Sequence, residues 1–263
     1  MAASSGVLGA AASGISFSSG GKLVLQTDGS EPAHNITGFG NTTNATIVAD
    51  VPTGGPGINH SLGNLTISTS TTLNVQAGDN VLGGNPKITL GNVTNTSGYG
   101  GGTMTFNATS AALSLGGVTT TTGGTKTPVL DGTGTGNSVT GIISNWNATD
   151  LLAVTKSNFS TWTLSGANTY TGPTNVLGGT LRFAVTETLT SLTIADGATV
   201  VVSSDPPPPA PGIPAFRGVE ETFEGADFHS AADGADAVSE PGCAALLVGG
   251  MPTLLGVRCR RVN

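Results

Sequence analysis

Carboxylates are the side chains with which this chain of 263 residues could do chemistry. Glycoside hydrolysis needs two of them, one on each side of the scissile bond. Within residues 1–204 no two acidic residues are adjacent, and only Asp28 and Glu31 lie close together in the sequence. Two of them can still meet where distant segments stack, so a polysaccharide lyase or hydrolase remains the alternative to a protein without catalytic activity. The acidic residues of this region are Asp28, Glu31, Asp50, Asp79, Asp131, Asp150, Glu187 and Asp196.

The other reactive groups lack the spacing that their chemistry requires. The histidines and cysteines show neither a His-x-x-x-His nor a Cys-x-x-Cys pair for zinc, and no Gly-x-Ser-x-Gly nucleophile motif occurs. Gly21 and Lys22 resemble the end of a phosphate-binding loop, but no Ser or Thr follows to hold Mg²⁺, so we interpret them as a turn entering a strand. The sequence therefore predicts no catalytic residue, no metal site and no cofactor. The histidines and cysteines are His34, His60, His229, Cys243 and Cys259.

The composition favours strands and turns. Charged residues make up 10% of the chain, against about a quarter in a typical soluble domain, and Gly accounts for 41 residues. Thr and Val suit a half-buried pleated surface, whereas the Ala, Leu, Glu and Lys runs of long helices are scarce, which excludes an all-α or Rossmann-type domain. With only 9 Lys and Arg, the chain lacks a basic surface for phosphates, so we exclude nucleic acid as a partner.

Short segments in which apolar residues alternate with Thr or Ser recur throughout residues 1–204. Such alternation buries one face of a strand and exposes the other. Leu65–Ile67 is followed after four residues by 72–75, and 192–194 is followed after four residues by Thr199–Val202. This equal spacing indicates an internal repeat, which is typical of stacked coils. The prediction is an all-β solenoid, with a β-sandwich as the alternative.

Residues 162–181 carry the densest motif of the chain. They read Trp-Thr-Leu-Ser-Gly-Ala-Asn-Thr-Tyr-Thr-Gly from 162 to 172, and Gly-Gly-Thr-Leu from 178 to 181. This run resembles the autotransporter-associated β-strand repeat, also called the passenger-associated transport repeat. The resemblance implies a secreted or surface-exposed right-handed parallel β-helix, in which the Trp and the first Leu point inwards and residues 168 and 170–172 form a corner. The motif residues are Trp162, Leu164, Gly166, Asn168, Tyr170, Gly172, Gly178, Gly179 and Leu181.

The composition changes after residue 204. Residues 205–240 begin with a proline run and continue with acids among Gly and Ala, which predicts a semi-rigid spacer leading into a disordered linker. Residues 243–257 are uncharged and apolar, and three arginines follow them. An apolar segment before a basic cluster is typical of a membrane segment whose end lies in the cytoplasm. The basic cluster consists of Arg258, Arg260 and Arg261.

Ser239, Glu240 and Pro241 precede this apolar segment. The arrangement resembles the PEP-CTERM sorting signal, which has a Pro-Glu-Pro motif, an apolar helix and a terminal Arg cluster. Ser239 stands where that family has Pro, and Pro252 lies inside the predicted helix. The resemblance implies export, transient membrane anchoring by a short C-terminal helix, and cleavage near the motif by an exosortase-like protease.

The start of the chain lacks the basic residues that open a secretory signal, because Lys22 is the first of them. Since a sorting signal implies an export signal, we expect the beginning of the natural protein to be missing. The predicted organisation is a right-handed parallel β-helix over 1–204, a Pro-rich acidic linker over 205–240 and a sorting segment over 241–263. The predicted function is that of an exported bacterial cell-surface or extracellular-matrix protein, structural or adhesive, with exopolysaccharide or cell-surface glycans, the membrane and the sorting protease as partners.

Overall fold

The computed structural model describes residues 14–18, 20–29, 32–39, 44–68, 70–98 and 101–203, and the backbone of three short strands beyond them. The regular structure of these residues is β-strand. The earlier strands are β1 (Ile15–Ser16), β2 (Lys22–Gln26), β3 (Ile36–Gly38), β4 (Asn44–Asp50), β5 (Gly55–Ser61), β6 (Leu65–Ile67), β7 (Thr71–Ala77), β8 (Val81–Thr89), β9 (Val93–Asn95) and β10 (Gly102–Ala108). The later strands are β11 (Ala112–Leu115), β12 (Val118–Thr120), β13 (Lys126–Gly132), β14 (Asn137–Val139), β15 (Val154–Lys156), β16 (Thr161–Leu164), β17 (Thr174–Val176), β18 (Thr180–Phe183), β19 (Ser191–Ile194), β20 (Thr199–Val202), β21 (Glu221–Glu224), β22 (Asp227–His229) and β23 (Val257–Arg258).

The strands form three sheets around a common interior. The first sheet has the order β1-β3-β6-β9-β12, the second runs from β2 through β4, β7, β10, β13, β15 and β17 to β19, and the third from β5 through β8, β11, β14, β16 and β18 to β20. Neighbours among these strands are parallel and come from successive turns of the chain. Beyond them, β21 and β22 pair antiparallel with β20 and β19, and β23 with β22.

This topology is that of a coil of stacked turns, a parallel β-solenoid. A β-sandwich is built from antiparallel strands with Greek-key connections, so that alternative is wrong. The prediction of an all-β coil with parallel strands is confirmed, and its right-handed sense stays a prediction.

Alternate residues of each strand fill the interior. In β10 the side chains of Met104 and Phe106 are completely buried, whereas Asn107 faces outwards. Phe106 is in register with Leu73 of β7 and Leu130 of β13, which are buried as well. Each large apolar side chain removed from water stabilises the fold by about 1.5–3 kcal/mol, so the column of stacked side chains holds the coil together.

The last turns of the coil are shorter than those before them. In the third sheet Ser138 is in register with Thr163, 25 residues later, but Thr163 is in register with Arg182, only 19 residues later. The first sheet ends over the same interval, because its last strand is β12 and a single bridge extends it. We call residues 44–139 (β4 to β14) the wide rungs and residues 154–202 (β15 to β20) the narrow rungs.

Asparagines at one corner tie successive turns together. The Oδ1 atom of Asn35 accepts a hydrogen bond from the backbone N–H of Asn64 (2.8 Å), and that of Asn64 from Asn92 (2.9 Å). The Oδ1 atom of Asn92 accepts in turn from the N–H of Gly117 (2.8 Å). A Cβ on Gly91 would overlap the Asn64 side chain, so the Gly-Asn pairs of this asparagine ladder follow from close stacking.

The two segments with equal spacing do not occupy equivalent places. The gap between β6 and β7 leads from the first sheet to the second, whereas the gap between β19 and β20 leads from the second sheet to the third. The two connections therefore turn different corners, and in the structure they have three and four residues. The repeat predicted from this spacing is wrong, although the stacked coil that it indicated is right.

Most of the predicted linker and sorting segment lies outside the described residues. The strands β21 and β22 fall within 205–240, and β23 contains Arg258 of the basic cluster. The motif at 239–241, the rest of the apolar segment, and Arg260 and Arg261 lie outside the described part of the chain. The disordered linker and the C-terminal apolar helix stay predictions.

Candidate functional site

The dense motif lies at the start of the narrow rungs, where β16 and β18 pair. Trp162, Leu164 and Leu181 are completely buried, which agrees with the expected inward orientation of the first two. Trp162 is in register with Leu181, and its indole N–H donates to the backbone carbonyl of Asp131 (3.1 Å). The largest side chain of the interior thus packs in the coil with its one polar atom satisfied.

The residues after β16 replace the missing strand of the first sheet. Asn168 Oδ1 accepts from the backbone N–H of Ile143 (2.8 Å), and the hydroxyl of the buried Tyr170 shares a hydrogen bond with Thr174 Oγ1 (2.8 Å). Burial raises the pKa of Tyr170 above its usual range, so the hydroxyl stays protonated. This segment lies at the corner that the resemblance implied, and both backbone and side-chain groups supply its hydrogen bonds.

Two glycines of the motif are required by close backbone approach. A Cβ on Gly166 would overlap the carbonyl group of Gly141, and one on Gly172 would overlap that of Leu152. Both carbonyl groups belong to the preceding turn of the chain. The glycines of the motif therefore allow one turn to lie directly against the next.

A glutamate that the motif did not indicate completes this corner. Glu187 is half-buried, and its Oε1 atom accepts a hydrogen bond from Asn168 Nδ2 (2.7 Å). Burial raises the pKa of Glu187, although the hydrogen bonds from Asn168 oppose that shift. Sequence reasoning missed this contact because no pattern connects the two residues across 19 positions.

A buried lysine closes the corner between β15 and β16. Lys156 is completely buried, and its Nζ atom donates to the carbonyl oxygens of Ser157 (2.6 Å), Asn158 (3.0 Å) and Gly178 (3.1 Å). Burial lowers the pKa of Lys156 to about 8, while the charge of Asp131 opposes that shift. Gly178 thus has a role at this corner as the acceptor of the lysine.

The same corner holds its backbone in an uncommon conformation. Asn158 has a φ of 55°, and among the described residues it is the non-glycine residue with a positive φ. Gly179, one turn later, has a φ of 64°. The side chain of Asn158 donates to Asp131 Oδ1. The next residue, Phe159, is 84% exposed. The strained corner therefore places an aromatic ring in solvent.

A row of polar residues runs along the coil on the outer face of the second sheet. Strand register aligns the first five from β2 to β13, and the hydrogen bond to Asp131 adds the sixth. Asn107 Nδ2 donates to Asn74 Oδ1 (2.8 Å) within the row. Because neighbouring strands lie about 4.8 Å apart, the row is roughly 24 Å long. We define the axial polar row as Lys22, Thr46, Asn74, Asn107, Asp131 and Asn158.

A shallow groove with a volume of about 230 Å³ opens beside the beginning of this row. Asp50 and Asp79 line it together with Lys22 and Gln26. Asp50 Oδ2 accepts from Gln26 Nε2 (3.1 Å), and its Oδ1 accepts from the backbone N–H of Asn80 (3.1 Å). The structure thus brings together two of the eight carboxylates of the body. The remaining lining residues are Val24, Val48, Gln76, Ala77 and Gly78.

The groups on this face can form hydrogen bonds. Carboxylates accept from hydroxyl groups, while the amides of Gln26 and Asn107 both donate and accept. Among the described residues there is no group of three or more His, Cys, Asp and Glu that could hold a metal ion. Within the same ranges, no helix is long and apolar enough to cross a membrane.

Residues 154–183 match the family model described as passenger-associated-transport-repeat. The matched segment extends from β15 to β18 and includes the whole motif from Trp162 to Leu181. No curated protein and no solved structure matches the chain. The resemblance to this repeat is confirmed, and it indicates an autotransporter-associated, passenger-like protein that is exported or surface-exposed. The likeness to the PEP-CTERM signal stays a prediction.

Proposed function

We propose that this chain is an exported bacterial cell-surface or extracellular-matrix protein with a structural and adhesive role. The observation that carries the proposal is the match of residues 154–183 to the passenger-associated transport repeat within a continuous parallel coil. A repeat of this kind belongs to passenger-like extracellular proteins, and the coil around it is the body that would be displayed.

The physical properties of the coil support a mechanical role. Each turn pairs its backbone with the turns before and after it, so the body is an extended rod stabilised by nearest-neighbour contacts. Its outer faces carry Thr, Asn and Gln at the outward positions of the strands, as in β7 and β10. Such a surface is polar with little net charge, which suits contact with neutral macromolecules.

The proposed sorting signal lies at the end of the chain. Ser239, Glu240 and Pro241 would form the recognition site of an exosortase-like protease, and residues 243–257 would anchor the protein in the membrane until cleavage. Arg258, Arg260 and Arg261 would hold the end of that anchor at the cytoplasmic leaflet. The protein would then remain at the cell surface or in the extracellular matrix. No cofactor and no nucleic acid enter this proposal.

The test is to fuse an export signal to the full chain and express it in hosts with and without an exosortase. We expect the protein outside the cell to lose the mass of its C-terminal segment only where the protease is present. The variant Glu240→Ala with Pro241→Ala should remain uncleaved and membrane-associated. Asp236→Ala, in the same acidic stretch but outside the motif, is the matched control and should be processed normally.

Two results would contradict the proposal. An intact product of identical mass in both hosts would contradict the sorting step. A coil that stays inside the cell despite the export signal would contradict the extracellular role. Protease protection of the coil in whole cells separates these two results, because only a displayed coil is accessible to added protease.

A further inference from the structure

We propose that the axial polar row, together with the groove at one end and Phe159 at the other, is a binding track for an extended chain of neutral sugar residues. The inference rests on the proposed extracellular function and names the ligand class for the adhesive role. Three kinds of observation support this track: the spacing of its residues, its charge and the exposed aromatic ring at its end.

The spacing of the row suits a linear polymer. Its first five residues repeat once per strand, about every 4.8 Å, and Asn158 continues the row just after β15. A pyranose unit with its glycosidic oxygen has a length close to one such step, so successive sugars can meet successive turns. Asn74 and Asn107 are half-buried and joined by a hydrogen bond of 2.8 Å, which fixes the orientation of their amides before any ligand arrives. Such preorganised polar groups lose little entropy on binding.

The groove would hold one end of the sugar chain. Its carboxylates can accept hydrogen bonds from adjacent hydroxyl groups, and Gln26 and Gln76 can serve as donors and acceptors at its walls. Asp50 is fixed by Gln26 and by the N–H of Asn80, each at 3.1 Å, and therefore cannot swing away. Val24, which is 44% exposed, supplies an apolar surface against which the C–H groups of a sugar ring can pack.

Charge selects a neutral polymer over an anionic one. The row and groove contain one cation, Lys22, and three carboxylates, those of Asp50, Asp79 and Asp131. An anionic polysaccharide would bring its carboxylates close to these groups, and like charges placed together across an interface reduce affinity. A neutral glycan meets no such repulsion.

Phe159 forms the aromatic end of the track. Phe159 is 84% exposed, and the positive φ of Asn158 that precedes it is held by Lys156 and by Asp131. The fixed corner keeps this ring in a position where it can contact a ligand that lies along the row. The negative face of the ring attracts C–H groups, which line one face of a pyranose.

The experiment is calorimetric titration of the full chain with three neutral probes, cellohexaose, laminarihexaose and mannohexaose, and with hexagalacturonate as the anionic probe. We expect at least one neutral hexasaccharide to bind and the anionic one to bind more weakly. The affinity should rise from the disaccharide to the hexasaccharide of the same series, because a longer chain covers more turns.

Two variants of the track should weaken binding of the neutral probe. Phe159→Ala removes an exposed side chain and should raise Kd about tenfold, as expected for an aromatic contact that anchors one end of the ligand. Asn107→Thr keeps the strand tendency of the position but removes the amide, and should raise Kd about fivefold. Thermal unfolding of each variant verifies that the coil is intact.

Matched substitutions elsewhere on the coil are the controls. Trp146→Ala removes an aromatic side chain that is 51% exposed, between the first and second sheets. Thr94→Ala removes an outward hydroxyl from β9 of the first sheet. Neither should change Kd. Equal weakening by controls and track variants would overturn the assignment of the track.

Two further results would also overturn the inference. One is the failure of all three neutral probes to bind, and the other is tighter binding of hexagalacturonate than of any neutral probe. A chain that is exported and sorted but binds none of the neutral probes contradicts this inference alone, whereas a chain that binds them but is never exported contradicts the proposed function.

Discussion

The wide and narrow rungs close the same coil by different means. In the wide rungs three sheets meet, and the asparagine ladder repeats one corner hydrogen bond from turn to turn. In the narrow rungs the first sheet is gone, so Trp162 and Phe183 fill the interior while Asn168 and Glu187 bond across the corner. The recognisable motif therefore lies where individual side chains, rather than sheet pairing, define the turn.

The largest expected effect on stability comes from removing the indole of Trp162 from the narrow rungs. Trp162→Ala should lower the free energy of unfolding by about 4 kcal/mol, because it empties a completely buried site and leaves the Asp131 carbonyl without its donor. Trp146→Ala, at a residue 51% exposed, should change it by less than about 0.5 kcal/mol. Urea unfolding of the full chain measures both. Equal losses would mean that the narrow rungs do not depend on this side chain.

A glycine of the motif gives the second test. Gly166→Ala should cost about 2–3 kcal/mol, because its Cβ would overlap the Gly141 carbonyl and force two narrow turns apart. Gly98→Ala is the control, since a Cβ there meets no atom within 4 Å. Thermal unfolding compares the two variants. A Gly166→Ala variant as stable as Gly98→Ala would show that the turns can separate without loss.

The corner asparagines sharpen the comparison directly. Asn92→Ala in the wide rungs removes one acceptor for the N–H of Gly117 and should cost about 1 kcal/mol. Asn168→Ala in the narrow rungs removes the acceptor for Ile143 and the donor for Glu187, and should cost about 2 kcal/mol. Hydrogen exchange of the Gly117 and Ile143 amides reports each loss locally. The reverse order would contradict the greater dependence of the narrow rungs on side chains.

The smallest expected effect is a pH dependence of stability from Lys156. Its pKa is about 8 in the folded chain against 10.5 for an ordinary lysine, so between these values the unfolded chain holds more protons. Stability should therefore rise with pH over this window, by roughly 1 kcal/mol between pH 8 and 9.5.

Urea unfolding at a series of pH values measures this rise. Above about pH 10 the raised pKa of Tyr170 acts in the opposite sense, because only the unfolded chain then loses the phenolic proton. Lys156→Gln should abolish the rise between pH 8 and 9.5, whereas Lys22→Gln, at an exposed residue of β2, should preserve it. A rise that survives in Lys156→Gln would assign it to another group.

Local patterns predicted the strands, because alternation acts over a few positions. The resemblance to the transport repeat implied the interior position of Trp162 and the corner after β16. They did not predict the shortening of the turns or the axial polar row, because these depend on register between residues such as Asn74 and Asn107, 33 positions apart. The sequence also did not predict the role of Lys156, because its partners are backbone carbonyl groups, which every residue has. The equal spacing after β6 and β19 gave a wrong repeat, because the length of a gap does not indicate which corner of the coil it forms.

The short turns of the narrow rungs differ from the wide rungs in the chain entropy lost when a turn closes. Loop closure costs chain entropy that grows with the logarithm of loop length, so a turn of 19 residues closes with a few tenths of a kcal/mol less loss than one of 28. Each turn also needs only its neighbour as a template. Closure of a single turn therefore costs less chain entropy in the narrow rungs than in the wide rungs.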